Sequence, residues 1–151
     1  MISRRKTREY LLQVLYARTL LKESFDRDIF FASYFADDQH IELDTAYVTA
    51  MEDAIMTHQD RLIGYIEVLA PKFEVETLPT LHILILMISL TEILYFSLEK
   101  IPDSVSVNEA IELAKRFSDD QGKSFINGTL STFLKEREIL KIEKQSEFRL
   151  F

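Results

Sequence analysis

The sequence predicts an all-α fold, and three observations carry that prediction. There are only three glycines and three prolines in 151 residues, too few for the repeated tight turns of an all-β design. Leu, Ile, Glu, Lys and Ala are plentiful, a composition that favours helices. Apolar residues recur every three or four positions along most of the chain, the period of a helix with one buried face. A chain of this length is expected to form a single domain that buries roughly two-thirds of the surface its unfolded form exposes.

The elements follow in order. Ser3 is placed to cap a first helix, whose stripe of Tyr10, Val14, Ala17 and Leu21, widened by Leu11 and Leu15, runs to about Lys22. Phe25, Ile29, Phe30 and Tyr34 make a second, short helical stripe, and the polar run Asp37 to His40 reads as a connection. A long third helix is expected from about Asp44 to Ala70, where Pro71 stops it because its ring cannot continue the hydrogen-bond ladder. After the turn or short linker EVETLPT, an apolar helix runs from about Pro79 or Thr80 to Glu99. His82 and Glu92 interrupt its apolar face and it barely reaches bilayer length, so it is read as a helix buried in a bundle and not as a membrane span.

Ser106 and Glu109 have the spacing of a capping box, which places a helix start at Val107. Ala110, Leu113, Ala114 and Phe117 form its buried seam, and Glu112 can pair with Lys115 or Arg116 on the wet side. SDDQGK reads as a turn, and a last helix carries Ile126, Leu130, Phe133 and Leu134. Residues 136–151 form a charged extension, either a solvated helix or a frayed tail, beyond a helical domain of residues 1–135.

The formal net charge of −7 by itself argues against nucleic-acid binding, but its distribution is uneven. Residues 1 to 22 hold six cations against Glu9 alone, a local +5; residues 23 to 60 hold ten carboxylates against Arg27, a local −9. Such asymmetry suggests an anionic partner at one pole. No cysteine is present, which excludes disulfides and thiolate metal sites and fits a reducing compartment, so the cytoplasm is the expected location. The basic start followed by apolar residues is not read as a signal peptide, because Gln13 and Arg18 break the apolar run and no small-residue cleavage site follows.

Catalytic constellations are missing from the pattern. His40, His58 and His82 are scattered, Gly64, Gly122 and Gly128 form no phosphate loop, and no serine sits in a nucleophile elbow. The carboxylates of residues 23 to 60 are read as a solvated face. No enzyme, metal or cofactor is expected. What remains is SRRKTRE on the first turns of a helix, whose guanidinium groups can grip phosphate oxygens in two-pronged fashion. Cations beside the positive end of a helix dipole are mildly unfavourable, a hint that something besides helix stability keeps them there.

Phe125 lies about 100° off the stripe of Ile126, on the side of Thr129 and Thr132. It is either a partly exposed platform for an unpaired base or a residue flanking the core against the preceding helix. Gly128, inside the same helical pattern, implies close approach of another backbone or a ligand.

VNEAIELAKRF followed by FINGTL resembles the C-terminal hallmark of the NusB family of transcription antitermination factors, and SRRKTREYLLQVLYA, with Gln13, Leu15 and Tyr16, resembles its N-terminal Arg-rich segment. The resemblance implies an all-helical domain of two packed sub-bundles, with about six to seven helices and no catalytic centre. It further implies binding of single-stranded box A RNA of ribosomal RNA leader transcripts. The implied partners are a small-subunit ribosomal protein acting as NusE and an RNA polymerase elongation complex with other Nus factors.

Position by position, the resemblance places phosphate pairing on Arg4, Arg5, Lys6 and Arg8. It also places a C-terminal RNA-facing motif on Lys123, Phe125 and Asn127, with stacking by Phe125 and a hydrogen bond from Asn127. Glu92 matches a family glutamate for which a partner contact and an internal ion pair are both open. Met87 and Thr91 depart from the arginine and tyrosine common in the family. Those departures and the overall acidity motivate the alternative of a helical protein-interaction module with weak or lost RNA binding.

Overall fold

Ser3 Oγ accepts a hydrogen bond from the Lys6 amide at 3.2 Å, and the first helix, α1, spans Arg4–Leu21. The computed structural model describes residues 3–35, 42–96, 101–137 and 145–151. Among these, five further helices follow: α2 Arg27–Tyr34, α3 Thr45–Leu69, α4 Thr80–Tyr95, α5 Asp103–Phe117 and α6 Asp120–Glu136. Side-chain caps start three of them, Asp26 bonding the Ile29 amide, Asp44 the Tyr47 amide and Asp119 the Gly122 amide. The all-α expectation holds.

α4 is the central strut. Every residue from Ile83 to Ile93 is buried, because α1, α3, α5 and α6 all pack on it. The N-terminal helices and the α5–α6 pair thus share one core, in which Leu11, Leu15, Met51, Ile55, Leu62, Ile66, Leu84, Ile126, Leu130 and Phe133 are fully or almost fully enclosed. α2 has no buried residue. Rings hold it instead: Tyr10 of α1 meets Phe30 at 5.8 Å and Tyr34 edge-on at 4.9 Å.

Three boundaries differ from the sequence expectation. α4 ends at Tyr95, short of Glu99, which lies outside the described residues together with the connection at Asp37 to His40. α5 starts at Asp103, not Val107. Pro102 fixes the entry dihedral and Asp103 puts a carboxylate at the positive end of the helix, while the supposed capping-box residues do not cap: Ser106 Oγ is buried with no hydrogen-bond partner among the described residues. The Ser106 carbonyl accepts from Ser89 Oγ at 3.2 Å, and Glu109 points to Arg5. The turn SDDQGK shrinks to Ser118 and Asp119, since Asp119 caps a helix that takes in Asp120 to Lys123.

The C-terminal residues 145–151 do not stand free. The Ser146 amide bonds the Asp60 carbonyl at 2.9 Å, Arg149 pairs with Asp60 at 2.8 Å, Lys22 Nζ reaches the Leu150 carbonyl at 2.7 Å, and Leu150 is buried. The acidic middle is not wholly solvated either. Glu52 is buried and accepts from both Arg18 at 3.3 Å and Arg27 at 2.8 Å, tying α1, α2 and α3 together.

Candidate nucleic-acid interface

The apolar stripe of α1 sets the direction of its cations. Leu11, Leu12 and Leu15 face the core, and Arg8 precedes them by three, four and seven residues, so it shares their face. Its side chain is 5% exposed. Arg8 Nη2 meets Glu92 Oε1 at 2.8 Å, Arg8 Nε donates to the same oxygen at 2.9 Å, and Tyr47 Oη donates to it at 2.6 Å. Burial opposes the charge on Arg8, but Glu92, Tyr47 and Glu109 outweigh it and hold the guanidinium above its ordinary value. Burial and the adjoining Glu92 carboxylate push the Tyr47 phenol well up.

Two expectations change here. Arg8, expected among the phosphate-pairing cations, is enclosed in an ion pair and positions α1 on α4. Of the two roles open to Glu92, the internal ion pair is the one formed, and Glu92 is buried away from any partner surface.

Arg4, Arg5 and Lys6 remain at the surface, each with a carboxylate. Arg4 pairs with Asp44 at 2.9 Å and lies 4.2 Å over the Tyr47 ring. Arg5 forms a two-pronged contact with Glu109 at 3.0 and 3.1 Å, which raises its pKa above the ordinary arginine value, and its side chain is still 58% exposed. Lys6 meets Glu9 at 3.3 Å, and Glu9 also receives Arg116 of α5 at 3.6 Å. The first turns of α1 therefore carry a set of surface ion pairs to α5, to the start of α3 and within α1 itself, individually weak and exchangeable.

On α6 the picture is the reverse. Lys123 and Asn127 lie about 40° apart around the helix, and neither has an ion pair or side-chain hydrogen bond among the described residues. Phe125 lies about 160° from Asn127, with Ser124 and Gly128 between them. Phe125 is half-buried, edge-on to Phe73 at 5.3 Å and 6.2 Å from His82. Thr129, expected outside, is buried and donates its hydroxyl to the Phe125 carbonyl. One side of Phe125 is thus enclosed and the other stays open.

Gly128 also departs from expectation. A Cβ added there meets nothing within 4 Å, so no other backbone approaches; Gly122 is the tightly packed glycine, where a Cβ would run into Ser118 Oγ and His82 Nε2. Gly128 instead fronts an open groove of about 410 Å³ between α6 and the α3–α4 connection, walled by Lys72, Phe73, Phe125 and Thr132. Lys72 and Phe73 were not among the residues expected at the site. Their signal in the sequence is slight, a cation and an aromatic directly after a helix-stopping proline.

Both sets of residues stand on α4. Arg8 meets it at Glu92 and Phe125 meets it near His82, about 15 Å apart along the helix axis. Among the described residues there is no cluster of His, Asp or Glu able to hold a metal ion, and no helix is long and apolar enough to cross a membrane.

Comparison with known proteins agrees with this architecture. The NusB family profile matches residues 5–135. The transcription antitermination protein NusB of Clostridium novyi is 32% identical over 134 residues, covering 89% of this chain and 99% of the relative. That of Clostridium perfringens is 34% identical over 140 residues, covering 91% and 100%, and that of Lacticaseibacillus casei 33% over 135 residues, covering 89% and 96%. The match takes in nearly all of the six α-helices among the described residues, leaving the first four residues and the C-terminal segment outside it: the chain belongs to the NusB family of transcription antitermination proteins.

Proposed function

We propose that this protein is a non-enzymatic cytoplasmic factor that binds single-stranded box A RNA of ribosomal RNA leader transcripts. It does so together with the small-subunit ribosomal protein acting as NusE, within an RNA polymerase elongation complex with other Nus factors. Arg4, Arg5 and Lys6 pair with phosphates by exchanging their carboxylate partners, and Lys123 adds a cation that has none to exchange. Phe125 stacks on an unpaired base and Asn127 hydrogen-bonds a base edge or the sugar-phosphate backbone. Arg8 and Glu92 act from inside, fixing the first turns of α1 on α4. The observation that carries this reading is α6, which presents a cation and an amide uncommitted among the described residues and a half-open aromatic ring within about one and a half turns of one helix.

A second reading, a protein-interaction module with weak RNA binding, is favoured by one observation: the surface cations of α1 already have internal carboxylate partners. A titration of the purified protein, alone and with the ribosomal protein, against box A RNA and a scrambled control at two salt concentrations separates the two. Salt-sensitive preference for box A is the expected result. Capture of the ribosomal protein with equal, feeble affinity for both RNAs would install the second reading.

A further inference from the structure

Gly128 is a helix-weakening residue in the middle of α6 with no internal reason to be glycine. Its φ is not positive, so the backbone does not require it, and the space a side chain would fill is empty. Glycine at such a position leaves room for something from outside. The groove it fronts has about 410 Å³, within the range of small-ligand sites, and two of its walls are aromatic.

Phe73 is 51% exposed, an unusual place for a phenylalanine in a connection, and it stands edge-on to Phe125. Lys72 supplies a cation with no ion-pair partner among the described residues, and no carboxylate lines the groove, although the chain as a whole carries seven more acids than bases. An anion carrying a flat apolar ring matches those walls. The groove also lies on the sector of α6 between Asn127 and Phe125, so a strand contacting both crosses Ser124 or Gly128, each of which lines it.

We infer that this groove is the seat of one unpaired nucleotide of the bound RNA, its base over the Gly128 backbone against Phe125 and Phe73 and its phosphate at Lys72. The inference deepens the proposed RNA binding and rests on it. Phe73, Lys72 and Gly128 thereby join the interface. An apolar side chain of a protein partner would have no use for Lys72, which favours the nucleotide.

The experiment is a fluorescence titration of a labelled single-stranded box A oligoribonucleotide against full-length wild type, Gly128→Leu, Phe73→Ala and Lys72→Gln, with a melting curve for each protein. Gly128→Leu is expected to melt at or above the wild-type temperature, because the leucine enters open space, yet to bind at least about tenfold more weakly. Phe73→Ala is expected to weaken binding about fivefold or more with the salt dependence unchanged. Lys72→Gln should lower the slope of log affinity against log salt by about 0.7.

Wild-type affinity in Gly128→Leu overturns the groove while leaving RNA binding intact; so does a lowered melting temperature in that variant, which would mean the space is not open. Normal RNA binding by Gly128→Leu with loss of the ribosomal protein would assign the groove to a protein and overturn the inference as well. A wild-type protein that does not bind the oligonucleotide removes the proposed function and the groove together.

Discussion

Glu92 Oε1 receives both Arg8 and Tyr47 inside an otherwise apolar helix. Removing one partner of a buried ion pair leaves the other charge desolvated and alone, which costs about 3–5 kcal/mol, whereas replacing both by apolar residues is often near neutral. Glu92→Leu is therefore expected to lower unfolding free energy by about that amount in urea denaturation at pH 7, and Arg8→Met with Glu92→Leu to recover much of it. If the single and double variants are equally unstable, the pair is not what holds α1 to α4. Phe125 belongs to a different class of residue. Stacking contributes roughly 1–3 kcal/mol per base, so Phe125→Ala should weaken box A affinity about five- to 150-fold without altering its salt slope. An affinity unchanged by that substitution would detach Phe125 from the RNA.

Helices show where local pattern suffices and where it does not. Ser3 and Pro71 mark boundaries of α1 and α3 because the signals are local: a hydroxyl three residues before an amide, and a ring that cannot donate. Ser106 and Glu109 mimic such a signal, yet Pro102 starts α5 four residues earlier, Arg5 claims Glu109 through a tertiary contact that no spacing encodes, and Ser106 Oγ is buried without a partner among the described residues. The buried Arg8–Glu92 pair was partly legible, since Arg8 continues the Leu11, Leu12 and Leu15 stripe and Glu92 interrupts an apolar helix. The groove was not, because its walls come from two elements about 50 residues apart in the chain.

The junction of α4 and α6 gives a pH prediction. Burial holds His82 below its ordinary value of 6.5, against a smaller upward pull from Asp119, so the folded state disfavours the imidazolium. That contribution is fully present above pH about 6.5 and is lost as pH falls through the lower folded value. Melting temperature should therefore fall from pH 7 to pH 5 more steeply in wild type than in His82→Gln; parallel profiles would exclude His82 as the cause. On α6, Gly128→Ala should stabilise the fold by about 0.8–1 kcal/mol, read as a rise in melting temperature of about 2–4 °C.

Across the whole molecule, charge and chain ends are used in ways composition alone conceals. The −7 total coexists with α1 cations held in exchangeable pairs, so the proposed RNA contact requires Asp44, Glu109 and Glu9 to give up Arg4, Arg5 and Lys6. The charged C-terminal run reads as a tail because lysine and glutamate dominate it, while Phe148, Leu150 and Phe151 are too few to show periodicity. In the folded protein residues 145–151 cross α3 and close over the end of α1, and Leu150 enters the core that α1 and α3 share. Full burial of one leucine is worth about 1.5–3 kcal/mol, and the bonds to Asp60 and Lys22 add to it. A chain ending at residue 144 should accordingly melt on the order of 5 °C below the full chain, given about 2–4 °C per kcal/mol at this size. Its box A affinity should stay the same, because none of these contacts reaches α6 or the first turns of α1. Equal melting temperatures would show that the segment only rests on the surface, and a loss of RNA affinity without loss of stability would move it into the interface.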